Sequence, residues 1–346
     1  MPFSQVSVVE SRLAFVDSVL VEGLGMSEAC RRHGIARTTG YKWLERHFSG
    51  DGLEDRSRRP SNSPGRVPAE VEEEVLALKA RYPAWGAKKL AVLLGGRSPS
   101  VRTLDRILAR HGLTSGRPRF RTVGSFEMER CNMLWQLDHK GVPRGNPPLF
   151  GCVDDASRFC LALAAVRDQS LEELWGPLWD AFGEYGLPEA ILSDNGVAFK
   201  NLGMRRRSSF ELRLMLLGIK PLHGRPYHPQ TQGKIERFFG TLAREAPSCI
   251  LAFRDAYNNV RPHEALGMRT PAQRYRPSDR RRPSEMPPVV LDEGCEKRRT
   301  TNLGVFTYKG RRYRVGRAVG ETTIGIKDGH VFYGPVSIGS LQSYEV

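Results

Sequence analysis

Residues 132–166 read NMLWQLDHKGVPRGNPPLFGCVDDASRFCLALAAV. Three short apolar runs, at 134–140, 150–155 and 159–166, alternate here with turn-forming residues and predict three successive strands. Downstream the period turns helical. Ser170 caps a predicted helix carrying Leu171, Leu174, Trp175, Leu178 and Phe182, and Gly186-Leu187-Pro188 ends it. Residues 190–193 form a fourth predicted strand, running into Asp194-Asn195-Gly196. A helix near 210–217, a fifth strand at 219–222 and a last helix starting near Thr231 complete the segment. A three-strand meander followed by alternating helices and strands predicts an α/β fold, a mixed sheet covered by helices, with Trp135, Trp175 and Trp179 in its core.

Three acids stand out in this layout: Asp138 within the first strand, Asp194 at the carboxyl end of the fourth, and Glu236 in the first turns of the last helix. Strand ends beside a helix start are where such sheets place reactive groups. Three converging carboxylates repel one another unless a divalent cation offsets their charge. Two Mg²⁺ ions about 3.5–4 Å apart on such carboxylates can activate a water or a 3′-hydroxyl and stabilise a leaving oxygen. Phosphodiester chemistry fits, and Mn²⁺ suits the same donors as well as Mg²⁺. Asp154 and Asp155 compete with Asp138 for the first position, as a turn with a local ion pair. Asp194-Asn195-Gly196 also reads as a plain turn, and Glu236 beside Arg237 as a solvated helix pair. His228 is a candidate accessory group near Glu236 or a helix cap, and His263 reads as a packing residue.

Charge points the same way. The 346 residues hold 53 Lys and Arg against 38 Asp and Glu, a net charge of +15. Residues 1–130 carry a net +7, residues 131–268 a net +1 and residues 269–346 a net +7. A near-neutral middle between two basic arms suits a polyanion held by its flanks. The longest clean apolar run, 159–166, is far short of the roughly 20 residues a membrane span needs. The first twelve residues read as no secretory leader. Six cysteines without a C-x-x-C pair read as reduced thiols, not as a disulfide frame or zinc site, and point to a cytoplasmic protein.

In the N-terminal arm, Ser11 is expected to cap a helix bearing Leu13, Val16, Val19 and Leu20, and Ser27 a short second helix. Gly34 then turns the chain into a third helix, from about Thr38 to Phe48. This helix-turn-helix pattern would bury Tyr41, Leu44 and Phe48 and present Arg37, Thr38, Thr39 and Lys42 to the major groove. Residues 49–67 read as a linker. Pro68 opens a second, helix-turn-helix-like unit at 68–121, lined by Val71, Val75, Leu78, Leu90, Leu104, Ile107 and Leu108. Its tail, Arg117, Arg119 and Arg121, can follow a phosphate backbone, and Lys234 and Arg237 are further candidate phosphate contacts. Residues 269–288 read as a basic connector. Residues 289–346 read as short strands with hairpin turns at Lys309-Gly310 and Asp328-Gly329, a small β-barrel with Arg311, Arg312, Arg314 and Arg317 on one edge.

The motifs WQLDHKG, GCVDDASR, ILSDNG, RPYHPQTQGKIERFFGTL and YNNVRPHEALGMRTPAQRY resemble those of bacterial insertion-sequence transposases with a retroviral-integrase-type core. The paired N-terminal helical units and GLEDRSRRP match that family's layout, so the likeness covers most of the chain. It implies a ribonuclease-H-like core at 122–268 with Asp138, Asp194 and Glu236 as metal-binding acids, and an SH3-like barrel. It also implies cleavage at an element's terminal inverted repeats and transfer of 3′-hydroxyl ends into target double-stranded DNA. A homodimer or larger assembly on bacterial, nucleoid-associated DNA would hold the two ends together. The sequence departs from the family in one respect. Asp194 and Glu236 are separated by 41 residues, more than is common, with the excess expected around the basic patch at 204–209. The paired His and Cys of a retroviral zinc unit are absent. A non-catalytic DNA-binding regulator and a nuclease that cuts without joining are the alternatives.

Overall fold

The computed structural model describes residues 6–57, 67–114, 127–141, 147–194, 196, 199, 206–224 and 232–346. It forms two units, residues 1–66 and 67–346.

The first unit holds α1 (Val8–Leu20), α2 (Met26–Arg32) and α3 (Arg37–Phe48). Ser7, not Ser11, caps α1, through a capping box in which Glu10 reaches back to the Ser7 amide. Gly25, not Ser27, precedes α2. The turn before α3 passes through Gly34 at φ +65, a left-handed conformation that favours glycine. The buried residues of α3 are Gly40, Trp43 and Arg46, packed with Phe15, Val16, Ala29, Cys30 and Leu53. Tyr41 and Phe48, expected inside, are 53% and 72% exposed. Trp43 takes their place because α3 approaches α1 and α2 at Gly40, where a Cβ would stand 2.7 Å from the Cys30 sulfur.

The second unit opens with α4 (Ala69–Arg81), α5 (Ala87–Leu94) and α6 (Val101–Arg110) around Val75, Trp85, Leu90, Leu104 and Ile107. Ser100 caps α6. The sheet follows: β1 (Leu134–Lys140), β2 (Leu149–Asp154), β3 (Cys160–Ala165), β4 (Ala190–Ser193) and β5 (Lys220–His223), in the order β3-β2-β1-β4-β5. The first three pair antiparallel, and β4 and β5 add in parallel. The mixed sheet expected from the meander is therefore present. Because side chains alternate along a strand, Trp135 and Leu137 enter the core formed with α7 (Leu171–Tyr185) and α8 (Ser209–Leu216). Val153 and Leu163 face the opposite layer, α9 (Gly233–Glu245) and α10 (Ile250–Asp255). The basic connector is pinned to this core. After α11 (Pro271–Arg274), Arg280 donates to the carbonyls of Pro188, Leu217 and Gly218, and Arg282 lies 4.3 Å over the Trp179 ring.

At the C-terminus, β6 (Glu296–Arg299), β9 (Thr323–Lys327), β10 (His330–Tyr333) and β11 (Val336–Ser340) form one antiparallel sheet. The hairpin of β7 (Val305–Tyr308) and β8 (Arg311–Arg314) forms a second. Both share a core of Phe306, Tyr313, Ile324, Ile326 and Val331. The hairpin turns fall at Lys309-Gly310 and Asp328-Gly329, all four residues at positive φ, as a two-residue turn that matches strand twist requires.

Candidate functional site at the carboxyl ends of β1 and β4

The parallel ladder pairs Leu134 with Ala190 and Gln136 with Leu192. The same offset, carried two residues on, brings Asp138 level with Asp194 just beyond the end of β4. One Asp138 oxygen accepts from the His139 amide at 2.8 Å, and one Asp194 oxygen accepts from the Gly196 amide at 2.9 Å. Glu236 lies in the first turn of α9 with its side chain exposed. Burial, then the Asp194 and Glu236 charges, push the Asp138 carboxyl up to about 6. Among the described residues no three His, Cys, Asp or Glu side chains stand gathered as a finished metal cage. The three acids nevertheless share one field, and their all-oxygen donor set and mutual repulsion suit a hard divalent cation.

The neighbouring polar groups have defined partners. Asp154 accepts from the Asn132 and Ser157 amides and the Ser157 hydroxyl, and Asp155 accepts from Gln136 and the Met128 amide. Both are fully buried and tie the sheet together, which separates them from Asp138. Lys234, read as a phosphate contact, is instead ion-paired with Asp155, its side chain only 10% exposed. Its first-turn position points it inward, toward the end of β2. Arg237 is exposed. His139 is wedged between the Phe150 and Phe199 rings, and burial lowers its pKa.

Behind Asp194, the Ser193 hydroxyl lies 3.2 Å from His223 Nδ1, and His223 Nε2 lies 3.4 Å from Glu211. Glu211, which also receives Arg207 and the Ser208 amide, is held down at about 2 despite its burial. Sequence reading passed over His223 and Glu211. The only signal available was a histidine at the end of a short strand. On α3, Arg37, Thr38 and Lys42 are exposed, Thr39 is half-buried, and the missed Tyr41 joins the exposed face. At the C-terminus Arg312 and Arg317 are exposed, Arg311 pairs with Glu345, and Arg314 is half-buried, its carbonyl accepting from Arg206. Arg117, Arg119, Arg121 and His228 lie outside the described residues.

Comparison with known families matches a helix-turn-helix domain over residues 11–61 and a homeodomain-like domain over 39–108. The integrase core domain matches twice, over 129–229 and 217–271. The chain carries an integrase core domain. Asp138 and Asp194 fall within its first match and Glu236 within its second. An integrase core domain behind helix-turn-helix domains supports a DNA-binding protein of the transposase and integrase kind, with a core like that of the polynucleotidyl transferases.

Among solved structures, the simian T-cell lymphotropic virus intasome in complex with PP2A regulatory subunit B56 gamma shares 16% identity with this chain. The match covers 77% of this chain and 98% of that one, with a TM-score of 0.38. The HTLV-2 integrase catalytic core in complex with magnesium shares 19%, covering 43% of this chain and 99% of its own, with a TM-score of 0.34. The BIV integrase catalytic core shares 21%, covering 41% and 92%, with a TM-score of 0.32. No helix among the described residues is long and apolar enough to cross a membrane.

Proposed function

We propose that the chain is a DNA transposase. It binds the terminal inverted repeats of an insertion sequence through its helix-turn-helix units, cleaves at the element's ends, and joins the freed 3′-hydroxyls to target DNA. The observation that carries this reading is the placement of Asp138 level with Asp194 on adjoining parallel strands, with Glu236 near enough to perturb Asp138.

Asp138, Asp194 and Glu236 would hold divalent cations, Mg²⁺ or Mn²⁺, which when bound supply Lewis-acid activation of the attacking oxygen and charge neutralisation at the phosphate. In cleavage, water attacks phosphorus and the bond to the 3′-oxygen breaks. In joining, that 3′-oxygen attacks a target phosphate, a new P–O bond forms, and the target strand's own 3′-oxygen leaves. The chain's part is positioning: the rigid sheet orients Asp138 and Asp194, and α9 presents Glu236 from the opposite layer. Arg37, Thr38, Lys42 and Tyr41 on α3 suit contacts in the major groove, and Arg237 and Arg312 suit phosphates. Two ends must meet for joining, so the working form is a dimer or larger assembly on DNA.

A strand-transfer assay tests the reading. Labelled DNA from the ends of the stretch flanking the gene is incubated with supercoiled plasmid and Mg²⁺, comparing wild type with Glu236→Gln. Joined product from the wild type alone is the expected result, with DNA binding kept in the variant. Cleavage without joining would replace the transposase with a nuclease. Binding with neither reaction would leave a DNA-binding regulator.

A further inference from the structure

The first turn of α9 has no side-chain cap of its own. Gln232 precedes it and makes no capping hydrogen bond, although the leading amides of any helix lack partners within the helix. The third of these amides, Ile235 N–H, is satisfied from across the layer. It donates to Gln136 Oε1 at 3.3 Å, while Gln136 Nε2 donates to Asp155 Oδ1 at 2.8 Å. The other Asp155 oxygen accepts from Lys234 Nζ and, at 2.8 Å, from the Met128 amide. Gln136 and Asp155 are fully buried. The circuit therefore runs from β1 through the residue just after β2 to the first turn of α9, then back to β1.

Its location is the point. Gln136 sits two residues before Asp138 on the same face of β1, and Lys234 and Ile235 immediately precede Glu236. Among the described residues none hydrogen-bonds the Glu236 carboxylate, so its place is set by the helix that carries it. A buried ion pair with an amide is a weak means of adding stability, since apolar side chains of similar volume fill such space as well. What the circuit adds is direction, because each end of one amide is committed to a different element.

We infer that Gln136, Asp155 and Lys234 are positioning residues that hold the first turn of α9 against β1 and so place Glu236 opposite Asp138 for cation binding. This rests on the reading of Asp138, Asp194 and Glu236 as the metal-holding acids.

The test is Mn²⁺ binding to the full chain, measured by titration calorimetry alongside turnover and DNA-end affinity. The variants are Gln136→Leu, Lys234→Met and Glu236→Gln, with Leu178→Ala as a control on the far face of the sheet. Outer partners of metal ligands typically matter by roughly ten- to a hundredfold, so Gln136→Leu and Lys234→Met should each weaken Mn²⁺ binding by at least about tenfold. Turnover should fall with it while DNA-end affinity stays within about twofold. Leu178→Ala should lower the thermal midpoint without moving the Mn²⁺ affinity. If Gln136→Leu does not fold, Gln136→Glu keeps the acceptor for Ile235 and loses the donor to Asp155, and is held to the same expectation. Unchanged Mn²⁺ affinity in the circuit variants, with Glu236→Gln impaired, overturns the inference alone. Unchanged affinity in Glu236→Gln overturns the metal-site reading beneath it, and the inference with it.

Discussion

Asp138 and Asp194 stand level on neighbouring parallel strands, brought there by the ladder that pairs Gln136 with Leu192. Side chains at matched positions of parallel strands point to the same face, so two carboxylates separated by 55 residues of chain confront each other.

The first prediction concerns the cost of that confrontation. The Asp138 carboxyl is raised from 3.8 to about 6 by burial, Asp194 and Glu236, so its contribution to stability is present at low pH and lost as pH rises through about 6. At pH 7.5 the ionised group opposes folding of the metal-free chain. Asp138→Asn should therefore raise the metal-free thermal midpoint by about 2–4 °C while reducing strand cleavage by at least about a hundredfold. Added Mn²⁺ should raise the midpoint of the wild type more than that of the variant. A lower midpoint for Asp138→Asn without metal would count against the shared field.

At Gly151 α9 packs tightly on the sheet. A Cβ there would stand 2.7 Å from the Phe239 ring, itself buried against β2 and β3. Gly151→Ala should cost about 1–3 kcal/mol by overpacking. It should also lower cleavage more than DNA binding, because the displaced helix carries Glu236. Equal losses of both would mean that the whole domain, not α9, had been disturbed.

Glu245 is a partly buried carboxylate that ties the helical unit α4–α6 to the core. The Trp85 indole donates to Glu245 Oε1 at 3.0 Å, and Arg261, whose side chain is 8% exposed, pairs with the same oxygen. Glu245→Ala leaves a buried cation without that partner and should destabilise by about 3 kcal/mol. Glu245→Gln retains an acceptor for Trp85 and should cost less. Denaturant unfolding of both variants decides the matter, and equal small effects would show that Glu245 is not the fastening.

Acid should loosen the chain at His263. Burial, with Arg261, Lys89 and Arg158 nearby, lowers its pKa to about 3, so the folded state keeps the ring neutral. Protonation enters the unfolded chain first, below its ordinary 6.5, and stability present above that pH is lost progressively as pH falls. At pH 5 the loss from this group should reach about 1–2 kcal/mol. Comparing unfolding of wild type and His263→Gln at pH 7 and pH 5 isolates it. An unchanged difference between the two proteins would remove His263 from the account.

DNA affinity should fall steeply with salt, since neutralised phosphates release counterions. Six or more phosphate contacts imply a loss of roughly a thousandfold between about 50 and 200 mM salt. A flat salt profile, measured by fluorescence anisotropy on an element end, would contradict the role given to the basic arms.

Much of this was legible before any coordinates. Five strands and their order of appearance followed from runs such as LWQLDHK and CLALAA, because two-residue alternation and bounding turn residues are local properties. Ser170 caps as expected for the same reason, and the hairpin turns fell at Lys309-Gly310 and Asp328-Gly329 as expected. Asp154 and Asp155 resembled Asp138 in sequence. What separates them is that Asp154 and Asp155 are buried and each accepts from several donors, including the Lys234 ammonium at Asp155. Asp138 instead accepts from the His139 amide and faces the Asp194 and Glu236 charges.

The sequence by itself determined which segments are strands or helices, that three acids lie within or at the ends of particular elements, and that the chain's ends are basic. Only the tertiary structure decided that Trp43, not Tyr41 and Phe48, fills the first unit, because that depends on how closely α3 crosses α1 at Gly40. Only it showed that Lys234 serves Asp155 and that Gln136 caps α9. Those partners lie 79 and 99 residues apart, and no local pattern encodes a hydrogen bond that exists only once two layers have packed.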